Sequence, residues 1–537
     1  MIGSIGRAVG FLALAAGAAV QDGSFPVELT GYTIRVEVDP AARRIAGTAA
    51  VGVVALENGV TTIPFALNAA LQIVSIREGE EEVPFAEGQR IAEGRAIALA
   101  PASPLVPKKP RTFTFSYAGE GVDPGPGDPD WMGILLVRPD EIRMSHQAQW
   151  YPIVPRDESA RSVLTAPVEI ELALPAGMVS LGPGRHGGVR TADRREVHLW
   201  SSAVPARASL LAGAYEVQEL KTGRRELRVL AFPDHRDGGR KWAVEAGRSL
   251  EFHEKRLGKV KEAYYGIAEM HVRNREKSYN YEADGFAVFD SVLFDGRDAD
   301  PAKVAHETAH LWWGGEIDPV GPGERFLTES LAEFSALVYL EEAKGEEAAA
   351  AAARERIDRY GRNPGEEHPL AVASFASPRY QPVVYAKGPM ALRTLRFWAG
   401  EKDFEAGLAL YIKRFRAGKV APGLDDFLAA MRSKCGAQID RWAAEWLERP
   451  GAPQYVVKYT MAGDLAGPLS VTVQLLQRGD IYTNPVEVDV ILQNGGTERV
   501  LLEPRGAEAT QTVFIPALVE RLVVDPRSLV LSLPPPH

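Results

Sequence analysis

The spacing of two histidines and two glutamates constrains this chain more than any other feature. His306 and Glu307 are followed by His310 in the pattern His-Glu-x-x-His, and Glu329 comes eighteen residues after His310. Residues four apart lie on the same face of a helix, so His306 and His310 can bind one ion. Glu307 lies one step around that helix, where its carboxylate can reach a water on the ion. The pattern is typical of zinc hydrolases.

The segments around this pattern predict two helices that meet at the ion. Asp300 followed by Pro301 is typical of a helix start, and Gly314 is a stop signal for the same helix. A short loop rich in Pro and Gly separates it from a second helix that begins near Glu324. Helices joined by a short loop usually pack antiparallel, which brings Glu329 back against the two histidines.

The residue types in this pattern predict both a metal and a reaction. Zinc in a hydrolytic site usually takes three protein ligands and keeps one position for water. His306, His310 and Glu329 meet that requirement for one Zn²⁺ per chain, and Glu307 can accept a proton from the water and pass it to the leaving amine. The alternative is two structural histidines in an ordinary helix pair. That alternative does not predict an acidic residue at this place on the next helix.

The rest of the chain predicts a multidomain α+β protein, because 537 residues are too many for one hydrophobic core. Strand-like alternation, as in Tyr32–Val38, predicts an antiparallel β domain in the N-terminal part. A helix with Lys, Glu and Ala is expected from about residue 237 to about Tyr265. The predicted domains are an N-terminal β domain, a mostly helical catalytic domain and a small C-terminal β-sandwich, at residues 21–215, 216–450 and 451–537.

Residues 1–20 predict an export signal rather than part of the fold. Arg7 precedes thirteen residues without a charge, and Ala16-Gly17-Ala18 offers a small-residue cleavage site. The apolar run is shorter than the ~20 residues that span a bilayer, so we expect a periplasmic or secreted protein without a stable membrane span. The net charge of -10, without clustered Lys and Arg, predicts no nucleic-acid partner.

Beyond the metal pattern, the sequence resembles the aminopeptidase N type of zinc metallopeptidases, within the gluzincins. The resemblance rests on the His-Glu-x-x-His pattern with its later Glu, on Tyr385-Ala386-Lys387-Gly388, and on Trp446 followed by Pro450-Gly451-Ala452-Pro453. It covers about residues 28–530 and implies a thermolysin-like catalytic domain that acts on peptides. It also implies that Tyr385 stabilises the tetrahedral intermediate, as a neutral phenol can do. We expect the helical C-terminal lid domain of many relatives to be absent.

The motif that makes this family exopeptidases is altered in this chain. The family's Gly-x-Met-Glu-Asn motif should lie about two dozen residues before the first zinc histidine. That place reads Tyr279-Asn280-Tyr281-Glu282-Ala283-Asp284-Gly285. Glu282 stands where the family's glutamate pairs with the free α-ammonium of the substrate, so the resemblance implies that Glu282 binds the substrate amine. The leading Gly, the Met and the Asn of the motif are replaced.

Two alternatives to an aminopeptidase therefore remain open. One is a metallopeptidase of the same fold that does not require a free N-terminus, and the other is a non-catalytic zinc-binding scaffold. A further residue also has two interpretations. Glu333, four residues after Glu329, could orient a zinc histidine, although a surface or salt-bridged glutamate is the favoured interpretation. The sequence leaves the preferred N-terminal residue and the oligomeric state open.

Overall fold

The computed structural model describes residues 26–124, 133–156, 162–261, 264–272, 280–295, 298–416, 421–463 and 469–533. The predicted signal segment lies outside the described residues and stays a prediction. The chain forms two compact units: one holds the residues up to Gly247 together with Lys261–Asp300, and the other holds Arg248–Val260 and the residues from Pro301 onward. The three-domain division at residues 215 and 450 stays a prediction. Among the described helices, none is long and apolar enough to cross a membrane.

The first unit is built mainly of β-sheets. Its largest sheet has eight strands, in the spatial order Arg185–Ala192, Arg195–Ala206, Ala166–Leu174, Val27–Asp39, Arg44–Ala55, Arg111–Glu120, Leu71–Glu78 and Glu81–Glu82. A four-stranded sheet has the order Val179–Leu181, Leu210–Gly213, Glu141–Met144 and Leu136–Val137, and a three-stranded sheet the order Ile63–Asn68, Gly94–Leu99 and Phe85–Ile91. Tyr32, Ile34 and Val36 are buried, while the residues between them are exposed, so the predicted alternation is confirmed.

One strand pair departs from the predicted antiparallel pairing of this β domain. Val27–Asp39 pairs in parallel with Ala166–Leu174, with Ile34 opposite Ile170. Parallel pairing needs a long crossover, and these two strands are far enough apart in the chain to supply one. The alternation within each strand cannot show this, because it is the same for either direction.

A five-stranded mixed sheet completes the described sheets of the first unit. Its strands follow the order Glu216–Thr222, Arg225–Ala231, Tyr264–Met270, Phe286–Asp290 and Tyr281–Glu282. The helix Arg236–Leu257 ends earlier than predicted, because Gly258 adopts the left-handed conformation that closes a helix. Tyr264–Met270 is a strand that is buried at every residue, so it lacks the alternation of a half-exposed strand.

The second unit is helical up to its C-terminal part. Its α-helical elements are Pro301–Ala309, Leu331–Lys344, Glu346–Arg362, Tyr380–Pro382, Gly388–Ala399, Glu401–Phe415, Leu424–Cys435 and Gln438–Trp442. In the described part of this unit, three π-helical segments interrupt the series, at Phe326–Ser330, Val383–Lys387 and Ala443–Leu447. The helix that carries the histidine pattern, called here the motif helix, ends at Ala309 and not at Gly314 as predicted. The chain after it tightens into turns, in which the amides of Trp312 and Trp313 both bond to the Ala309 carbonyl.

The predicted β-sandwich is confirmed as a pair of three-stranded sheets. One has the order Gln454–Ala462, Leu469–Arg478 and Glu508–Ile515, and the other Thr497–Leu502, Val486–Leu492 and Val519–Val524. Alternate residues of their central strands are fully buried, namely Val471, Val473, Leu475, Val486, Val488 and Val490. The sandwich core therefore lies between the two sheets.

Candidate metal centre and active site

The motif helix Pro301–Ala309 is fixed by polar contacts to the end of helix Arg236–Leu257. His253 donates through Nε2 to the Ala305 carbonyl at 2.9 Å, and the hydroxyls of Ser249 and Thr308 lie 2.6 Å apart. Burial lowers the pKa of His253 to about 3, so its ring is neutral at physiological pH. These contacts set the rotation of the motif helix about its axis. They thereby determine which way its two pattern histidines point.

The side chains of His306, His310 and Glu329 converge on one point. The two Nε2 atoms are 3.1 Å apart, and Oε2 of Glu329 lies 3.6 Å from Nε2 of His306 and 3.4 Å from Nε2 of His310. Tetrahedral Zn²⁺ with bonds of about 2.0–2.1 Å requires ligand atoms roughly 3.3–3.4 Å apart. The observed separations bracket that spacing, so the three residues fit one Zn²⁺. Among the described residues, this is the group of His, Cys, Asp and Glu that could hold a metal ion.

The second nitrogen of each imidazole decides whether Nε2 is available to the metal. Nδ1 of His310 faces the carbonyl of Trp313 at 2.9 Å, which assigns the ring proton to Nδ1 and leaves the Nε2 lone pair for the ion. Nδ1 of His306 is buried without a hydrogen bond, and Oε1 of Glu333 lies 3.8 Å from it. The other oxygen of Glu333 accepts a hydrogen bond from Arg356. Glu333 thus forms a salt bridge and also faces a zinc histidine, and its orienting role stays a prediction.

Glu329 lies on the π-helical segment Phe326–Ser330, which continues directly into Leu331–Lys344. π-helical turns are rare and occur frequently at functional sites. Burial alone would raise the pKa of Glu329, but His310 and His306 outweigh burial and hold the pKa well below its ordinary value. Glu329 is therefore ionised and suited to bind a cation. The predicted return of this residue to the two histidines is confirmed.

Glu307 lies on the motif helix between the two histidines and is only 6% exposed. Burial raises its pKa above the ordinary value, although His306 and His310 act in the opposite direction. A carboxylate with a raised pKa binds a proton more readily, and a general base needs that property. The surroundings of Glu307 therefore suit proton transfer.

Tyr385 lies on the second π-helical segment, Val383–Lys387, and its ring centroid is 6.1 Å from that of His306. Burial raises the pKa of Tyr385 well above its ordinary value, and the neighbouring Glu329 and Tyr380 raise it further. The phenol therefore stays protonated at neutral pH and can donate a hydrogen bond. The structure brings this residue, which the resemblance singled out, beside the metal ligands.

The two π-helical segments that carry Glu329 and Tyr385 contact each other directly. The hydroxyl of Ser330 donates to the carbonyl of Val384 at 2.7 Å. A Cβ atom on Gly388 would lie 2.0 Å from Oγ of Ser330 and 2.5 Å from its Cβ. Gly388 has an ordinary helical φ of -56°, so lack of space, and not backbone strain, requires a glycine here. This glycine closes the Tyr-x-Lys-Gly motif.

Lys387, from the same motif, is fully buried and anchors the segment of Tyr385. Its Nζ donates to Oε1 of Glu367 at 3.1 Å and to the Arg449 carbonyl at 2.8 Å. The amide of Gly451 donates to the same Glu367 oxygen at 2.6 Å. Sequence reasoning missed Glu367, which no motif marks. This carboxylate links the Tyr-x-Lys-Gly motif to the Pro450-Gly451 segment that leads into the sandwich.

Glu282 belongs to the first unit and lies on the short strand Tyr281–Glu282, which pairs with Phe286–Asp290. Its Oε1 accepts a hydrogen bond from the amide of Gly285 at 2.9 Å. Gly285 has a φ of +110°, a conformation that explains a glycine at this position of the altered motif. The turn therefore orients the carboxylate of Glu282. Its role in binding the substrate amine stays a prediction.

Comparison with known proteins agrees with this geometry. Residues 297–446 match the Peptidase family M1 domain. Aminopeptidase N of Lactococcus lactis subsp. lactis is 27% identical over 283 residues, and probable aminopeptidase 1 of Sulfurisphaera tokodaii is 26% identical over 214 residues. These matches cover 48% and 38% of this chain, but only 32% and 26% of the two relatives.

Solved structures share the fold over most of the chain. An M1 zinc metallopeptidase from Deinococcus radiodurans superimposes with a TM-score of 0.64 at 18% identity, covering 81% of this chain and 98% of its own. A mutant of a two-domain M1 zinc metallopeptidase, bound to L-arginine, gives a TM-score of 0.65 at 19% identity, with coverage of 81% and 98%. The matching M1 domain, the aminopeptidase N relatives and the shared fold together support an aminopeptidase N-type zinc metallopeptidase of the gluzincin group.

Proposed function

We propose that this chain is a zinc-dependent aminopeptidase that removes N-terminal residues from peptides. The observation that carries the proposal is the arrangement of Glu307 and Tyr385 around three residues that fit Zn²⁺. A buried carboxylate and a protonated phenol next to one metal are the groups that peptide hydrolysis needs. The aminopeptidases among the relatives support the same choice of substrate.

Each residue of the centre has a distinct task in this proposal. When bound, Zn²⁺ supplies a Lewis acid that polarises a peptide carbonyl and makes water a stronger nucleophile. His306, His310 and Glu329 hold the ion. Glu307 accepts a proton from the attacking water and delivers it to the nitrogen of the leaving amine. Tyr385 donates its hydroxyl hydrogen to the oxygen on which negative charge develops.

The position of cleavage depends on how the substrate amine is bound. In the proposal the carboxylate of Glu282, oriented by the Gly285 amide, pairs with the α-ammonium of the peptide. The altered residues around Glu282 keep a second candidate in view, a metallopeptidase of the same fold that also cleaves blocked peptides. A decisive pair of substrates should therefore differ only in whether the N-terminal amine is free or blocked.

The test compares aminoacyl p-nitroanilides with the same compounds carrying an N-acetyl group, on protein loaded with one Zn²⁺ per chain. We expect hydrolysis of the free amines alone, loss of activity on chelation, and its return with zinc. Equal hydrolysis of blocked and free compounds would contradict the aminopeptidase and favour the metallopeptidase that does not require a free N-terminus. Bound zinc without hydrolysis across a broad peptide panel would leave only a zinc-binding scaffold.

A further inference from the structure

A positively charged side chain next to the metal centre has no part in the chemistry above. Arg325 lies at the start of the helical segment that carries Glu329, four residues before that ligand. Its guanidinium carbon lies 4.2 Å from the ring centroid of Phe375, and Nη2 lies 2.8 Å from a carboxylate oxygen of Glu324. The side chain is 17% exposed, so the cation is held in one place and only part of it meets solvent.

A row of aromatic rings runs from Arg325 to the metal ligands. The ring centroid of Phe375 is 4.9 Å from that of Tyr380, and Tyr380 is 6.0 Å from Tyr385. Tyr385 in turn lies 6.1 Å from His306. Phe375 is 39% exposed, so this end of the row faces solvent. Successive ring contacts therefore connect the guanidinium to the metal-binding group.

The contacts of Arg325 leave part of its guanidinium available. Burial alone would lower the pKa of Arg325, but Glu324, Tyr380 and Glu329 outweigh burial and raise it, so the group is charged. A guanidinium has five N–H donors, and the contact with Glu324 engages one terminal nitrogen. Stacking on Phe375 uses the face of the group and not its edge. Donors in the guanidinium plane therefore remain for a planar acceptor such as a carboxylate.

We propose that Arg325 is a specificity residue that binds a carboxylate of the peptide substrate. That carboxylate is either the C-terminal group of a short peptide or an acidic side chain near the scissile bond. This inference rests on the proposed peptidase function and adds a preference to it. Peptides with Lys or Arg at the same position should bind less tightly, because like charges repel.

The test measures binding without turnover, in Glu307→Gln protein loaded with zinc. Calorimetry compares Ala-Ala-Ala with its C-terminal amide, Ala-Glu-Ala amide with Ala-Gln-Ala amide, and Glu-Ala-Ala amide with Gln-Ala-Ala amide. In one pair we expect the peptide with the carboxylate to have a Kd at least fivefold lower than its neutral counterpart. The pair that shows this difference identifies which carboxylate of the peptide is bound. Adding Arg325→Gln should bring the two Kd values of that pair within twofold of each other. The control Arg354→Gln, at an exposed position, should leave the difference in Kd unchanged.

Two results would overturn the inference. One is equal Kd values within every peptide pair in protein that retains Arg325. The other is a difference in Kd that persists after Arg325→Gln. Zinc content and circular dichroism establish that each variant is folded. If the Gln variant does not fold, Arg325→Lys decides, since it keeps the charge but not the paired donors. An unchanged preference in the Lys variant then counts against the inference. Selective binding by a protein that hydrolyses no peptide would refute the peptidase and leave the Arg325 site intact.

Discussion

Replacing Gly388 with alanine tests whether one close contact fixes the geometry of the active site. The new methyl group would lie 2.0 Å from Oγ and 2.5 Å from Cβ of Ser330, which is well inside van der Waals contact. Ser330 follows the proposed zinc ligand Glu329, and Gly388 lies three residues after Tyr385. Relief of the clash must therefore move the two π-helical segments apart, and with them the ligand and the phenol.

The size of the effect follows from two opposing terms. Alanine is favoured over glycine inside a helix by about 1 kcal/mol. Overpacking a buried contact costs typically ~1–3 kcal/mol, and the clash with Ser330 Cβ cannot be relieved by rotating a hydroxyl. We expect a net loss of up to roughly 2 kcal/mol in the free energy of unfolding. A displacement of Tyr385 by about 1 Å should lower kcat by roughly 10- to 100-fold.

The assays are thermal unfolding of the zinc-loaded protein and kcat on an aminoacyl anilide. Gly361→Ala is the matched control, because a Cβ there meets only the tip of Leu533 at 3.3 Å and the variant should be neutral or slightly stabilised. Ser330→Gly combined with Gly388→Ala removes the clash and should recover much of the activity lost in Gly388→Ala. A Gly388→Ala protein with normal kcat, or a double variant no better than the single one, would refute the reasoning.

Three further changes address other parts of the centre. Glu307→Gln should lower kcat at least about 1,000-fold while zinc stays at one per chain, and substantial residual activity would exclude Glu307 as the base. Glu333→Gln should weaken zinc binding about tenfold in a chelator competition, with the exposed Glu347→Gln as control. Unchanged affinity would leave Glu333 as a salt bridge to Arg356 alone. Burial lowers the pKa of His253 to about 3, against about 6.5 when unfolded. The folded state therefore binds fewer protons, its stability is complete above pH 6.5, and up to about 5 kcal/mol is lost between pH 6.5 and 3. His253→Gln should be less stable at pH 8 but show a shallower loss in acid, and equal slopes of stability against pH would contradict this.

The metal ligands could be predicted from sequence because their arrangement is largely local. His306 and His310 are placed by the helix repeat alone, and Glu329 needs only a short turn between two helices. The alternation of Tyr32–Val38 likewise predicted a strand, since one of its faces is solvent-exposed. A local sequence pattern predicts the secondary structure of a segment when contacts with distant segments do not override that pattern.

What could not be predicted depends on contacts between distant segments. Glu367 lies 20 residues from Lys387 and 84 residues from Gly451, and no spacing rule connects them. The strand Tyr264–Met270 was not predicted, and the helix before it was extended into its first residues, because burial on both faces removes the alternation. The motif helix ends at Ala309, ahead of the glycine that served as stop signal, because buried turns at Trp312 and Trp313 replace its last turn.

The residues proposed to bind zinc and transfer protons belong to one compact unit, and Glu282, predicted to bind the substrate amine, belongs to the other. Mutation can therefore separate catalysis from amine binding. The three proposed zinc ligands, Glu307 and Tyr385 all lie in the second unit, whereas Glu282 lies in the first. A hydrogen bond or ion pair to a charged group contributes about 1.5–3 kcal/mol, so Glu282→Ala should lower kcat/KM for free amines roughly 10- to 150-fold. Zinc content should not change, and hydrolysis of N-acetylated compounds should stay as low as in the unaltered protein, because neither involves an ammonium group. A loss of zinc that parallels the loss of activity, or an unchanged kcat/KM for free amines, would show that Glu282 does not decide where the peptide is cut.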